Sequence, residues 1–371
     1  MPERTYQGVT RAVCIGLGGT GLQTIMRLRR LIVERYKSLD NFPIVRFVQI
    51  DTDSGSLDNA DLNGTTFHRG VDIRLKPQEK VHIGMKAAEA DTLRRALQDP
   101  DSDTPYNHIA EWLPQSVIEN AKAIDNGASG IRAVARLAFF HNYTAIKNKI
   151  VAAERGTKNP SPQLINDLRL IINNELDIFI VGSLYGGTGS GTFLDTAYAV
   201  QNLYPNAQVY GYLAIEPEGG FDQQANAYAA LMELDFYSRN NSFSAVYDKN
   251  DPESYVDINR PPFKYTFLVG RNTSNPLYTI QNSNQLFNLI AQKIALEFSS
   301  EFATQLKADR INFKQYLEQN DNHPRPNPQY YLTFGLSEIY CPIDRIIEIT
   351  AARVSVSIMQ FWQTGYGQAP D

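Results

Sequence analysis

Residues 184–192 read Leu-Tyr-Gly-Gly-Thr-Gly-Ser-Gly-Thr and follow the apolar run Ile178-Phe179-Ile180-Val181. Buried strand, glycine turn and helix, in that order, make a phosphate-binding segment. Gly186, Gly187, Gly189 and Gly191 remove side chains that would keep a ligand away, and they permit backbone N–H groups to converge on an anion. Thr188, Ser190 and Thr192 add hydroxyl donors. A helix expected from Phe193 onward would turn its N-terminus toward the same anion. A flexible linker would not follow a four-residue apolar strand and run straight into an apolar helix.

A second glycine turn lies near the N-terminus. An apolar strand at residues 9–15 leads into Gly16-Leu17-Gly18-Gly19-Thr20-Gly21, with the polar Gln23 just beyond. Taken alone, this turn and Asp51 at the end of the next strand fit a dinucleotide site of an NAD(P)- or flavin-dependent oxidoreductase, with the acid on a ribose hydroxyl. That reading leaves residues 186–191 without a role. Two glycine turns roughly 170 residues apart suggest one nucleotide held from both sides. No Gly-x-x-x-x-Gly-Lys-[Ser/Thr] sequence occurs, so amides and hydroxyls must replace the P-loop lysine. Asp51 and Asp53 are candidates for a ligand or Mg²⁺-linked role, or for simple strand-end caps.

Elements that would hold these turns follow from periodicity. Helical spacing at Leu22, Ile25, Met26, Leu28, Leu31 and Ile32, then an apolar strand at residues 44–50, gives a β-α-β opening. Gly127-Ala128-Ser129-Gly130 precedes a helix-like stretch in which Arg132 and Arg136 fall on one face. Further strands are expected at residues 209–215, 265–269 and 330–336. Helices are expected at 81–97, 163–173, from 225, at 281–302 and at 343–362. The fold class is α/β, a doubly wound, mostly parallel sheet with a long central helix and a smaller C-terminal α+β unit. The expected division is a nucleotide-binding domain over 1–280, the long helix and following loop over 281–317, and the C-terminal unit over 318–371.

Composition narrows the function. The 371 residues suit a large domain with a smaller companion, and 43% hydrophobic with 20% charged residues is a globular balance. A net charge of −5 argues against a nucleic-acid-coating surface. Cys14 and Cys341 are the only cysteines and read as small buried hydrophobes in a reducing compartment. The five histidines do not cluster, which implies no metal centre built on them. There is no apolar run of roughly 18 residues and no signal-peptide pattern, so a cytoplasmic protein without membrane insertion is expected. The end at Gly-Gln-Ala-Pro-Asp, after an apolar helix, suits the front part of a longer chain.

Together these residues resemble the tubulin and FtsZ superfamily of GTPases. Its Gly-Gly-Gly-Thr-Gly-Ser-Gly signature is matched at six of seven positions by residues 185–191, with Tyr185 in place of the first glycine. The turn at Gly16–Gly21 with Gln23 is similar to the family's opening loop, and residues 47–53 to the following strand and its acidic turn. Residues 127–136 resemble its third nucleotide loop, which brings in Gly130 and Arg132. Residues 218–229 stand in the place of the ribose-side loop, with Glu218 as a ribose acceptor. Asn284 falls where the family reads the guanine edge, although an asparagine can pair with guanine or adenine; Ile280 replaces a stacking aromatic.

The resemblance implies GTP or GDP with Mg²⁺, and head-to-tail self-association into filaments. In the family, a loop after the long helix of one subunit presents acids to the nucleotide of the next. Here that stretch is residues 307–313, with Asp309 and Asn312 as candidates. The acids that follow the asparagine in the family are absent, so hydrolysis is the open element. Within the superfamily the chain is similar to a divergent bacterial tubulin-like group whose members often carry this domain at the front of a longer protein. A non-polymerising GTP- or GDP-binding regulatory or scaffold domain is the alternative.

Overall fold

Alternation of side chains along β1 (Gln7–Leu17) decides which residues meet which layer. Val13, Ile15 and Leu17 enter one apolar core, whereas Ala12 and Cys14 enter the other. A register shift against the neighbouring strand between Thr10 and Arg11 reverses the parity, so Val9 joins the core of Ala12 and Cys14. The partner strand β6 (Leu170–Ser183) behaves likewise, with Ile178 and Ile180 on one side and Phe179 and Val181 on the other. Strands buried on both faces require helices on both faces.

A computed structural model describes residues 7–58, 67–98, 109, 112–114, 116–117, 124, 127–158, 160–215, 219–239, 241–272, 279–299, 303–320, 331–336 and 343–364. After β1 come α1 (Gly18–Tyr36), β2 (Val45–Asp51), α2 (Ser54–Asp58), the small antiparallel pair β3 (Phe67–His68) and β4 (Val71–Asp72), β5 (Lys80–His82) and α3 (Ala87–Gln98). Next are α4 (Arg132–His141), α5 (Tyr143–Gly156), α6 (Pro162–Leu168), β6, α7 (Gly187–Leu203), β7 (Gln208–Ala214) and α8 (Phe221–Ser238). The antiparallel pair β8 (Phe243–Val246) and β9 (Tyr255–Ile258) precedes β10 (Tyr265–Val269), α9 (Ser283–Ser299), α10 (Ala303–Asn320) and β11 (Tyr331–Leu332).

Seven strands form one sheet in the order β11-β10-β7-β6-β1-β2-β5. Every pairing in it is parallel. Helices α1 and α9 supply the core on one face, and α4, α5 and α7 that on the other. From β1 the chain builds outward through β2 to β5, then returns to place β6 on the other side of β1. The order therefore reverses between β1 and β6, which is where doubly wound sheets open a crevice for a ligand.

Several expectations change. Residues 170–173, expected at the end of a helix over 163–173, begin β6, and the helix expected from Phe193 starts at Gly187. Residues 81–82, expected in a helix, belong to β5 and pair with β2. The strand expected at 330–336 is β11 alone among the described residues. Residues 307–313, expected as a loop, lie inside α10. The resemblance places a loop here, but Lys307 bonds Asp177 at 2.7 Å and Arg310 bonds Glu297 at 2.6 Å, which pins the helix to the sheet and to α9.

The chain divides into two units, Met1–Phe334 and Gly335–Asp371. The described part of the second is mainly α11 (Ile343–Thr364). Among the described residues, no helix is long and apolar enough to cross a membrane. Cys341 lies outside the described residues, while Cys14 is buried as expected of a small hydrophobe.

Candidate functional site

The two glycine turns meet at the crevice. Gly16 of β1 lies opposite Val181 of β6, so both strands end at the same level. Gly18 begins α1 with φ +63°, a conformation that strains any side-chain-bearing residue, and a Cβ there would stand 3.3 Å from Thr188 Cβ and 3.5 Å from the Gly189 nitrogen. The N-cap of α1 is Leu17 and that of α7 is Gly186; neither gives a side-chain cap, and neither first turn holds an acid. Two sets of first-turn N–H groups thus converge without side-chain acceptors, the arrangement that binds phosphate at helix N-termini.

The predicted glycines divide by what surrounds them. Gly19 is exposed and a Cβ there would meet nothing within 4 Å, so it marks the opening. Gly16, Gly21, Gly189 and Gly191 are packing positions: a Cβ on Gly21 would lie 2.7 Å from the Val181 oxygen, one on Gly189 2.6 Å from the Ser183 oxygen, and one on Gly191 2.4 Å from the Arg132 oxygen. Gly16 faces the side-chain oxygen of Gln49, 2.1 Å from a built Cβ. A Cβ on Gly187 would touch the Gly130 backbone at 3.0 Å, which joins the third loop to the second.

A chain of hydroxyls crosses beneath these turns. Ala128 N–H donates to Thr52 Oγ1 at 2.9 Å, Thr52 and Thr188 hydroxyls are 2.7 Å apart, and Thr188 donates to Asp51 Oδ1 at 3.2 Å. Burial pushes the Asp51 carboxyl up to about 6 against the backbone hydrogen bond from Asp53 and the side-chain bond from Thr188. Asp53 accepts from the Ser56 hydroxyl at 2.6 Å and the Gly55 N–H at 2.9 Å, and the Ser56 bond holds its carboxyl below the usual range. Ser190 donates back to the Gly186 carbonyl, and Thr192 to the Thr188 carbonyl at 2.8 Å. The Thr188, Ser190 and Thr192 hydroxyls expected as ligand donors therefore bond within the protein, and the main-chain carbonyl of Thr20 accepts from the Thr24 hydroxyl at 2.9 Å.

Arg132 donates to the Ser190 carbonyl at 3.2 and 3.1 Å and pairs with Glu233 of α8. Arg136 pairs with Asp195 at 3.0 Å and lies over the Trp112 ring at 4.4 Å. Asn226 of α8 donates to the Gly130 carbonyl at 2.8 Å and draws that helix to the same place. Glu218 lies outside the described residues. On the opposite face, Gln23 and Asn284 are brought together by Arg27, which bonds both side-chain oxygens at 2.8 Å. Asp309 and Asn312 are exposed on α10. That helix is anchored at Asp177, six residues before Ser183 on β6, or about 20 Å from the glycine turn at the usual strand rise. Within one chain they do not approach the turns.

Sequence reading passed over three residues. Gln49 donates to the Gly18 carbonyl at 2.9 Å, Thr52 suspends the third loop, and Arg27 links α1 to α9. Arg27 at i+4 from Gln23 was the available signal for the last.

A family model described as "Tubulin like" matches residues 13–360. Among solved structures the chain is similar to CetZ from Methanosaeta thermophila strain DSM 6194, at 14% identity over 77% of this chain and 53% of that one, with a TM-score of 0.45. CetZ2 from Haloferax volcanii, described as a GTPγS-bound protofilament, matches at 15% identity over 80% and 62%, with a TM-score of 0.43. TubZ from Clostridium botulinum phage c-st matches at 13% over 77% and 61%, with a TM-score of 0.42. The chain spans 53% to 62% of the length of these structures. No match is found among curated proteins.

Proposed function

The chain belongs to the tubulin-like family, and from that premise we propose that it binds GTP or GDP at the crevice between β1 and β6 and associates head to tail with further copies. The observation that carries the reading is the convergence of the uncapped N-termini of α1 and α7, with Gly18 against Thr188. The first-turn amides of Gly18, Gly19 and Thr20, and those of Gly187, Thr188 and Gly189, would receive phosphate oxygens. Gly130 and the start of α4 close the third side, Asp51 and Thr52 hold the Thr188 hydroxyl, and Glu218 stays a candidate for the ribose.

No three His, Cys, Asp or Glu side chains gather as metal ligands among the described residues. A Mg²⁺ ion accompanying the nucleotide would take phosphate and water oxygens and supply charge neutralisation. Asp309 and Asn312 are too far from the turns of their own chain, so a hydrolytic role for them requires a neighbouring copy, a heterologous contact of the kind that propagates into filaments. Asp309 would then hold the attacking water and accept its proton. The second reading, a nucleotide-binding module that does not polymerise, is favoured by α10: the stretch expected as a catalytic loop is helical and carries no acid after Asn312 before Glu318.

The test is equilibrium binding of GTP, GDP, ATP and NADH with Mg²⁺ to wild type and Gly19→Trp, with sedimentation at rising protein concentration. Guanine-nucleotide binding lost in a Gly19→Trp protein of unchanged melting temperature, together with GTP-dependent pelleting, supports the proposal. Binding without pelleting leaves the module reading, and selective binding of NADH sinks both.

A further inference from the structure

Arg27 occupies an unusual place for a cation. It is 8% exposed on α1, its guanidinium lies 5.7 Å from the Phe287 ring centroid, and it bridges two side chains that are otherwise candidates for a ligand. One nitrogen donates to Gln23, at both the main-chain and side-chain oxygens, each at 2.8 Å; the other donates to Asn284 Oδ1 at 2.8 Å. A guanidinium has donors and no acceptor. The Asn284 amide must therefore turn its oxygen to Arg27, an orientation dictated by chemistry where amide flips are otherwise ambiguous. Its Nδ2 group is left on the exposed side, with no partner among the described residues.

We propose that Arg27 is a positioning residue for base selectivity: by fixing Asn284 with only its N–H donors outward, it makes the site accept 6-oxo purines and reject 6-amino purines. The inference rests on the nucleotide reading above. α1 rises about 1.5 Å per residue, so Arg27 stands about 12 Å along the helix from Gly19, a separation that a nucleotide spans from phosphate to base, and Asn284 is bonded to it there. A 6-carbonyl accepts from an amide N–H, whereas the 6-amino group of adenine offers another donor to it. An unrestrained asparagine would rotate and serve either base. Arg27 removes that freedom, and so it decides what Asn284 alone leaves open.

The experiment compares equilibrium binding of GDP, IDP and ADP, each with Mg²⁺, to wild type, Arg27→Met and Arg27→Lys. Wild type is expected to bind GDP and IDP alike, because IDP keeps the 6-oxo group and lacks only the 2-amino group, and to bind ADP roughly 10–100-fold more weakly. Arg27→Met should bring ADP to within about threefold of GDP. Arg27→Lys, which still presents only donors to Asn284, should restore much of the preference; loss of stem packing alone would not distinguish bases. GDP binding with the same GDP-to-ADP ratio in Arg27→Met, or, if the methionine variant does not fold, in Arg27→Gln, whose amide offers an acceptor as well as donors and so frees Asn284 to turn, overturns this inference and leaves the proposed function standing. A wild type that rejects IDP also overturns it, since the 2-amino group would then be the feature read. Failure of wild type to bind any of the three overturns the proposed function and the inference together.

Discussion

Thr188 and Asp51 are 137 residues apart in the chain, and the Thr188 hydroxyl donates to the Asp51 carboxylate at 3.2 Å. One belongs to the second glycine turn and the other to the end of β2, so the contact ties the phosphate-side turn of one β-α unit to the strand of another. Asp51 is 3% exposed, and the same oxygen also receives the Asp53 N–H at 3.2 Å. The carboxylate is thus held by hydrogen bonds but deprived of water.

That balance gives a pH dependence with a definite sign. Burial pushes Asp51 up to about 6, from about 4 in an unfolded chain. Its contribution to stability is complete below about pH 4 and is lost as pH rises through about 6, because the folded state then carries a charge that the unfolded state solvates better; the loss is about 3 kcal/mol. Asp51→Asn keeps an oxygen for Thr188 and removes the charge. In urea titrations of the nucleotide-free protein, the stability of Asp51→Asn minus that of wild type should climb between about pH 4 and 6 and level off above. A difference that stays flat across this window would show that Asp51 is not buried as a carboxylate.

Two glycines within the predicted set should respond in opposite ways. A Cβ on Gly189 would stand 2.6 Å from the Ser183 oxygen and 2.9 Å from its nitrogen, main-chain atoms that cannot rotate away. Gly189→Ala should therefore lower stability by about 1–3 kcal/mol as α7 is forced off β6. Gly19→Ala meets nothing within 4 Å and should hold or raise stability by up to about 1 kcal/mol, while weakening GDP binding through its place at the opening. Thermal melts and binding isotherms on the same two variants check both halves.

How far the sequence announces this arrangement depends on the range of the contacts. The apolar strands at residues 9–15 and 178–181 and the glycine turns after them are local patterns, so the β-α units and the crevice between β1 and β6 were legible. The division of labour among the glycines was not, because it depends on what approaches each from elsewhere: Val181 on Gly21, Ser183 on Gly189, Arg132 on Gly191. The hydroxyls of Thr188 and Ser190 read as ligand donors because their partners, Asp51 and the Gly186 carbonyl, are set by the folded turn. The polar run Asn173-Asn174-Glu175 concealed the first half of β6, where Asn174 gives its carbonyl to Arg11 at 2.7 Å. Lys293, Glu297 and Arg310 carry no local signal of burial, yet all three are buried.

Those three charges hold α9, α10 and the sheet together. Glu297 receives Lys293 from its own helix, Arg310 from α10 at 2.6 Å, and the Tyr212 hydroxyl of β7 at 3.3 Å. Two cations share one carboxylate, 1% exposed on its side chain. Glu297→Gln leaves both cations buried without countercharge and should cost about 3–5 kcal/mol. Combined replacement by Lys293→Met, Glu297→Leu and Arg310→Met should recover most of that loss, because desolvation of the ions disappears with them. Chemical denaturation of the two proteins provides the comparison; a single variant within about 0.5 kcal/mol of wild type would mean that water reaches the cluster.

Asp309 offers the sharpest separation between a site completed by a neighbour and one that acts alone. Its carboxylate is exposed and accepts one hydrogen bond, from Gln305 Nε2 one turn away at 2.9 Å. Such a contact contributes little, so Asp309→Ala should leave stability within about 0.5 kcal/mol of wild type. GDP affinity should also be unchanged, because α10 is anchored far down β6 from the glycine turns. If a second copy presents Asp309 to the nucleotide, wild-type GTP turnover per chain rises with protein concentration, and Asp309→Ala removes that rise at every concentration while still pelleting with GTP. Turnover that is independent of concentration, or equal in the variant, would remove Asp309 from the hydrolytic role and leave a nucleotide-binding surface whose neighbours do no chemistry on it.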